Sequence, residues 1–451
     1  MNINQIFTPD ELEGFQRELK PFRPEGAYLP GKWMVNPLNR TVGTAAGKFP
    51  ARVVLRDITL RTLEQMPGMA QTQDERRELM LALAAAGVPE ISTSSFRRGH
   101  TVEEMTEEVK LVKQVAPDCQ LVYGSVANRA EMEMAAAAGY DSVQVWHATY
   151  LGRAIPISAG ATYSRAWQGR DWRELRFPNT LADHLERPQR VIRMGADLGV
   201  KVSAWINILS LTTEEYVDTY CRMAYDNGAF EVALADSSGG SAPEAIARLV
   251  EVAKKAAPKL QIALHTHNMY GLGIATSIAG ARAGAEVIEV AVNGLDTGPA
   301  GCQASLAGTA AALEVLYGVD TGIDLGQLDK ISAVAERITR MPRTWNEPVL
   351  GSGAHECALV DDMEIEAITD PLIHGSLVSS VVGVERRFPI TAATGPWTAW
   401  WKFESLGIRV TQEQVLPLLA ECRRAMAGGG TLEDDDILAI ASDWIDANSP
   451  K

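Results

Sequence analysis

The sequence predicts an α/β chain: a (β/α)8 TIM barrel followed by a mainly helical C-terminal accessory region. Three observations carry that expectation. Short β-branched runs alternate with Ala-, Glu- and Leu-rich segments of helical spacing. The run ends recur about every 30 residues, and eight such units have the length of one barrel. Polar residues capable of chemistry stand at the carboxyl end of run after run, where such barrels place their active sites.

In chain order, residues 1–49 read as a leader. A helix is expected from Thr8 to Lys20, with Pro9 suited to its first turn, and then a loop punctuated by Pro and Gly. The barrel is expected over 50–329. Its strands are Val53–Leu60, Val88–Thr93, Gln120–Gly124, Ser142–Trp146, Val200–Ile206, Glu231–Ala235, Gln261–Leu264 and Glu286–Val292. The longer gap between Trp146 and Val200 holds Tyr150–Pro178, rich in Gly, Arg and aromatic residues, and reads as a loop inserted over the barrel mouth. Past Asp329 the rhythm stops. Residues 330–451 read as a helical accessory region with too little evident core to stand alone. Within it the acidic run Glu433 to Asp436 reads as a solvated turn, and Trp397, Trp400 and Trp401 as packing a helix or a subunit contact.

Composition bounds the partners. Hydrophobic residues at 46% and charged residues at 22% are ordinary for a soluble globular protein. A net charge of −15 argues against a nucleic-acid or anionic-membrane surface. No run of about eighteen apolar residues is present to span a bilayer, and the amino terminus lacks the basic-then-apolar pattern of a signal peptide. The cysteines Cys119, Cys221, Cys302, Cys357 and Cys422 are scattered and odd in number, which fits a reducing, cytoplasmic setting.

The strand ends collect the candidate site. The first is followed by Thr59 to Gly68, the second by Ser92 to Ser95 and the fourth by His147-Ala148-Thr149. Asn207 follows the fifth, Asp236 to Gly240 the sixth and Asn293-Gly294 the eighth. The seventh closes with His265 and His267, spaced so that both imidazoles share one face of the strand. A pair of neutral imidazoles is half of a first-row metal site. Asp236 reads equally as a carboxylate capping its own loop, and His147 and His355 equally as acid/base groups or as ordinary hydrogen-bonded histidines.

Several of these stretches resemble the metal-dependent barrel superfamily, DRE-TIM, that includes 2-isopropylmalate synthase, homocitrate synthase and HMG-CoA lyase. Asp57-Ile-Thr-Leu-Arg61-Thr62-Leu-Glu64-Gln65-Met-Pro67-Gly68 is similar to its D-T-T-L-R-D-G-E-Q-x-P-G, and Leu234-Ala-Asp236-Ser237-Ser-Gly239 with Pro243 to its L-x-D-T-x-G…P. His265-Thr-His267-Asn268 resembles H-x-H-N, Asn293-Gly294-Leu295 resembles N-G-I/L, and Ala354-His355-Glu356 resembles the start of A-H-E-S-G-I-H. The sequence also departs from the pattern. Thr62 stands in place of a metal-binding aspartate, Ser92 in place of an acidic residue with Glu90 close by, Cys302 or Gln303 in place of a ligand asparagine, and Val360 in place of a second histidine.

The resemblance implies a divalent ion on His265 and His267, with Arg61 stabilising charge on the substrate oxygen. Cys302, Asp57 or water would complete the ligands. With no aspartate at 62, the ion is expected to bind more weakly than is usual for the family, and to be zinc, manganese or iron rather than magnesium. Expected catalytic residues are Arg61, Asp236, His147 and His355; expected substrate-binding residues are Thr62, Ser92, Asn207, Asn293 and Cys302. The leading expectation is condensation of a 2-oxo acid with an acyl-CoA by a homodimer. Two readings stay open beside it: a lyase or aldolase working in the cleavage direction, and a barrel that has lost metal chemistry and serves as a binding subunit.

Overall fold

Eight parallel strands close into a barrel in the computed structural model, which describes residues 8–19, 26–40, 49–94, 101–126, 128–146, 181–296, 302–356, 372, 375–427 and 429–448. The strands are β1 Val54–Asp57, β2 Glu90–Ser94, β3 Gln120–Val126, β4 Ser142–Val145, β5 Val202–Asn207, β6 Glu231–Asp236, β7 Gln261–Thr266 and β8 Val287–Val290. Their order around the barrel is their order in the chain, with β8 pairing back onto β1. Every residue of β4, β5, β6 and β8 is buried, as expected where side chains face either the barrel interior or a helix layer.

The intervening helices begin where the sequence supplies caps. Thr72 and Glu75 form a capping box at Gln73–Ala85, and Thr101 and Glu104 do the same at Val102–Val115. Asn128 caps Arg129–Ala138, and Thr213 caps Glu214–Asp226. Each cap satisfies backbone N–H groups that the first turn leaves orphaned, so the register of each strand–helix unit is set locally.

The inward positions follow a period of two and are unusually polar. Arg56, Glu231 and Glu289 are fully buried, and the Arg56 guanidinium pairs with Glu90 at 2.6 Å, Glu231 at 2.8 Å and Glu289 at 3.2 Å. Burial works against the charge of Arg56, but Glu231, Glu90 and Glu289 outweigh it and hold the guanidinium firmly protonated. A buried array of this kind survives because each charge is paired and hydrogen-bonded.

The chain divides into two compact units, residues 41–343 and residues 1–40 with 344–451. The helix Leu328–Thr339 belongs to the barrel unit. In the second unit the leader contains more than a helix and a loop. After Pro9–Leu19, a small hairpin pairs Tyr28–Leu29 with Trp33–Met34, and Met34 N–H donates to the Ser376 carbonyl at 3.0 Å. The helices Pro396–Ser405, Gln412–Ala425 and Asp434–Asn448 enclose their own core around Phe403, Leu418, Leu419, Cys422 and Ile437, which the sequence did not make evident. Glu433 to Asp436 are exposed as expected, but Asp434 to Asp436 form the first turn of a helix, where carboxylates complement the helix dipole. No helix among the described residues is long and apolar enough to cross a membrane.

Candidate metal and substrate site

The seventh strand delivers both histidines to the carboxyl end of the barrel. His265 closes the ladder with β8 and His267 continues inward, forming a bridge with Gln303. Their Nε2 atoms lie 3.2 Å apart, and Oδ2 of Asp296, from the loop after β8, is 3.5 Å from Nε2 of His267. One donor atom from each of His265, His267 and Asp296 falls within 4.8 Å of the others.

Glu289 sets the chemistry of this cluster. The parallel register places it directly beside His265, and its Oε2 lies 2.9 Å from the imidazole Nδ1. Burial alone would raise its carboxyl, but the hydrogen bond and charge of His265, with Arg56 and Arg61, hold it down at about 2. It also accepts from Gln144 Nε2 at 2.6 Å. An ionised carboxylate only accepts, so His265 donates from Nδ1, and Nε2 is the nitrogen left facing the mouth. Two imidazole nitrogens and a carboxylate oxygen then converge, an arrangement able to hold a cation among them. The donor set fits a divalent ion that takes nitrogen and oxygen ligands.

Arg61 lies beside this cluster, on the short helix Thr59–Leu63 after β1. It is buried, yet its guanidinium makes no hydrogen bond or ion pair among the described residues. Its Cζ sits 5.0 Å from the centre of the Trp205 ring, which is itself 4.9 Å from His265. The aliphatic stem of Arg61 fits because residue 124 has no side chain: a Cβ there would lie 2.9 Å from Arg61 Cδ and 2.9 Å from the Thr93 carbonyl oxygen. A buried cation beside a ligand cluster, with no carboxylate partner among the described residues, is suited to an anionic substrate.

The other expected residues divide between this site and the scaffold. Thr62 is buried, and its hydroxyl donates to the carbonyls of Thr59 at 3.0 Å and Leu295 at 3.1 Å. Ser92 lies 3.4 Å from Gln144 and so joins the network that reaches Glu289. Asp236 closes its own loop, accepting from Gly240 N–H at 3.3 Å and Ser241 N–H at 2.8 Å. Asn207 accepts from the Ser237 hydroxyl. Asn293, at φ 52°, is engaged by the Ser332 hydroxyl at 2.6 Å and so holds the β8 loop to the helix Leu328–Thr339. Cys302 is exposed and stands outside the metal-capable cluster, as does Asp57, whose two oxygens accept from the N–H and hydroxyl of Thr59 at 2.9 Å each. His355 lies in the second compact unit, where its Nε2 donates to the Val349 carbonyl at 2.6 Å and burial, with Arg386, lowers its pKa. His147, the Tyr150–Pro178 loop and Val360 lie outside the described residues.

Sequence reasoning missed Asp296, Glu289 and Trp205. Glu289 carried a usable signal, since a carboxylate in the middle of an apolar strand demands a buried partner. Asp296 carried none, because nothing in its spacing relates it to His265 and His267.

The family described as HMGL-like matches residues 171–335. The homocitrate synthase AksA of Methanothermobacter thermautotrophicus is 26% identical over 412 residues, covering 90% of this chain and 96% of its own. The 2-phosphonomethylmalate synthase of Streptomyces rubellomurinus is 29% identical over 396 residues, covering 86% and 97%. Among solved structures, the HMG-CoA lyase of Bacillus subtilis superposes with a TM-score of 0.52 at 18% identity, covering 65% of this chain and 96% of that one. The hydroxymethylglutaryl-CoA lyase of Pseudomonas aeruginosa gives 0.52 at 21% identity, covering 66% and 96%. These structures share the fold.

Proposed function

We propose that the chain is a divergent member of the DRE-TIM metallolyase superfamily and that it condenses a 2-oxo acid with an acyl-CoA, forming a carbon–carbon bond at the oxo carbon. The observation that carries this reading is the convergence of His265, His267 and Asp296 beside the Arg61 guanidinium, which has no hydrogen-bond or ion-pair partner among the described residues. Support for condensation over cleavage comes from the synthase relatives, whose alignments extend over 86–90% of the chain.

His265, His267 and Asp296 would hold a divalent ion, with zinc, manganese or iron favoured over magnesium by the two nitrogen donors. Such an ion, when bound, polarises the oxo acid's carbonyl. Glu289 keeps His265 in the tautomer that presents Nε2. Arg61, only 6% exposed, offsets the negative charge that grows on the carbonyl oxygen as the new bond forms. His147 is the proposed acid/base group, and Asn207 and Ser237, hydrogen-bonded to each other, are proposed to orient the substrate. The proposed assembly is a homodimer in a cytoplasmic setting, a reading supported by the half-buried Trp397 and Trp400, which line a groove of about 510 Å³ with Pro396, Gln412 and Val415.

The test supplies a panel of 2-oxo acids with acetyl-CoA to protein purified without chelators, and follows free thiol. Thiol release that requires both substrates supports the reading. Cleavage of a hydroxyacyl-CoA without any condensation would replace it with the lyase reading. Full turnover after chelator treatment would remove the metal. Mass in solution at micromolar concentration tests the dimer.

A further inference from the structure

Trp205 occupies the point where the metal-capable cluster and Arg61 meet. Its indole lies 4.9 Å from the His265 ring, with the Arg61 guanidinium 5.0 Å from its centre, and it is only 3% exposed. The inward residues packed with it on the next two strands are small: Ala233 and Ala235 on β6 and Ala263 on β7. Three methyl side chains therefore make room for one large ring, which shares this cluster with Val287, Val54 and Trp146. Its Nε1–H has no hydrogen-bond partner among the described residues. A buried indole normally secures a partner for that group, so packing of the core alone accounts poorly for tryptophan here.

We propose that Trp205 is the specificity-determining wall of the oxo-acid subsite and restricts it to short-chain 2-oxo acids. The inference rests on the proposed function above. A substrate carbonyl engaged by Arg61 and the histidine cluster carries its side chain one bond away. On the β5 to β7 side that side chain meets the face or edge of an indole in contact with both groups. The ring is bounded by Arg61 on one side and by the alanine-lined strands on another. A rigid apolar wall discriminates by length, and each methylene it refuses is worth roughly 10- to 200-fold in kcat/KM.

The test measures kcat/KM for straight-chain 2-oxo acids of increasing length with acetyl-CoA, in wild type, Trp205→Phe, Trp205→Leu and Trp205→Ala. Calorimetric binding of each acid and metal content are measured in parallel. Wild type should favour the shortest acids. The smaller replacements should shift the preference toward longer ones, changing the long-to-short ratio by ~10-fold or more with metal content unchanged. Should Trp205→Ala fail to fold, the Phe and Leu variants carry the same comparison. An unchanged ratio, with all acids losing activity in proportion, overturns the inference and leaves the proposed function standing. A wild type that neither binds nor turns over any 2-oxo acid overturns the proposed function, and the inference with it.

Discussion

Glu289 accepts a hydrogen bond from Nδ1 of His265 at 2.9 Å, and this contact dictates which imidazole nitrogen faces the barrel mouth. Replacing Glu289 with Gln keeps the shape but removes the charge, and the amide can offer His265 either a donor or an acceptor. Metal affinity should fall by ~10–100-fold, the usual effect of losing a partner behind a histidine ligand. Titration of the apoprotein with zinc or manganese, read by calorimetry, checks this. Unchanged affinity would mean that the carboxylate only balances Arg56.

Thr62 lies against the loop that carries Asp296, across the closure of the barrel. The Thr62 hydroxyl donates to the carbonyl of Leu295, the residue before Asp296, at 3.1 Å. Asp296→Ala should lower metal affinity by at least the ~10-fold that loss of an outer partner causes. Adding Thr62→Asp should recover part of that loss, since it sets a carboxylate beside the same loop. Metal content after gel filtration reports both effects. A double variant no better than Asp296→Ala alone would show that the two positions do not substitute for one another.

Burial raises the Asp57 carboxyl from its ordinary 3.8 to about 7, an effect that hydrogen bonds from Thr59 only partly offset. The folded state therefore holds this proton more tightly than the unfolded chain does. Its stabilising contribution is complete below about pH 4 and is lost as pH rises through about 7. In Asp57→Asn that contribution cannot titrate. The stability of wild type relative to Asp57→Asn should decline between pH 4 and 7 and then level off, as measured by urea unfolding across that range. A difference that rises with pH would contradict the sign.

Gly124 gives Arg61 its path. A Cβ at 124 would meet the Arg61 stem at 2.9 Å and the Thr93 carbonyl oxygen at the same distance, and the backbone cannot move away as a side chain can. Gly124→Ala should cost about 1–3 kcal/mol of stability through overpacking. It should also reduce kcat more than any surface Gly→Ala control, because Arg61 must shift. Denaturant unfolding and steady-state kinetics on the two variants separate the effects.

The barrel itself was legible in the sequence because its signals are local. The β-branched runs, the helical spacing of the segments between them and the steady recurrence of the units need no knowledge of distant residues. The same locality exposed His265 and His267, two residues apart on one strand, and Arg61 at the end of another. Asn293 was visible as a strand-end polar residue, but its left-handed backbone turns it to Ser332. No local pattern reveals that.

Only the tertiary structure decided what completes the site. Closing the barrel sets β8 against β1 and brings Leu295 to Thr62 across 233 residues of chain. That closure places Asp296 beside His267, and the parallel register sets Glu289 against His265. It also folds Trp205 between Arg61 and the histidines. Each of these contacts depends on register between strands or on closure of the sheet, and neither is encoded in the spacing of residues along a single segment. The sequence by itself determined the barrel, the paired imidazoles and the arginine; barrel closure supplied the carboxylates that make them a metal-capable site and the ring that bounds it.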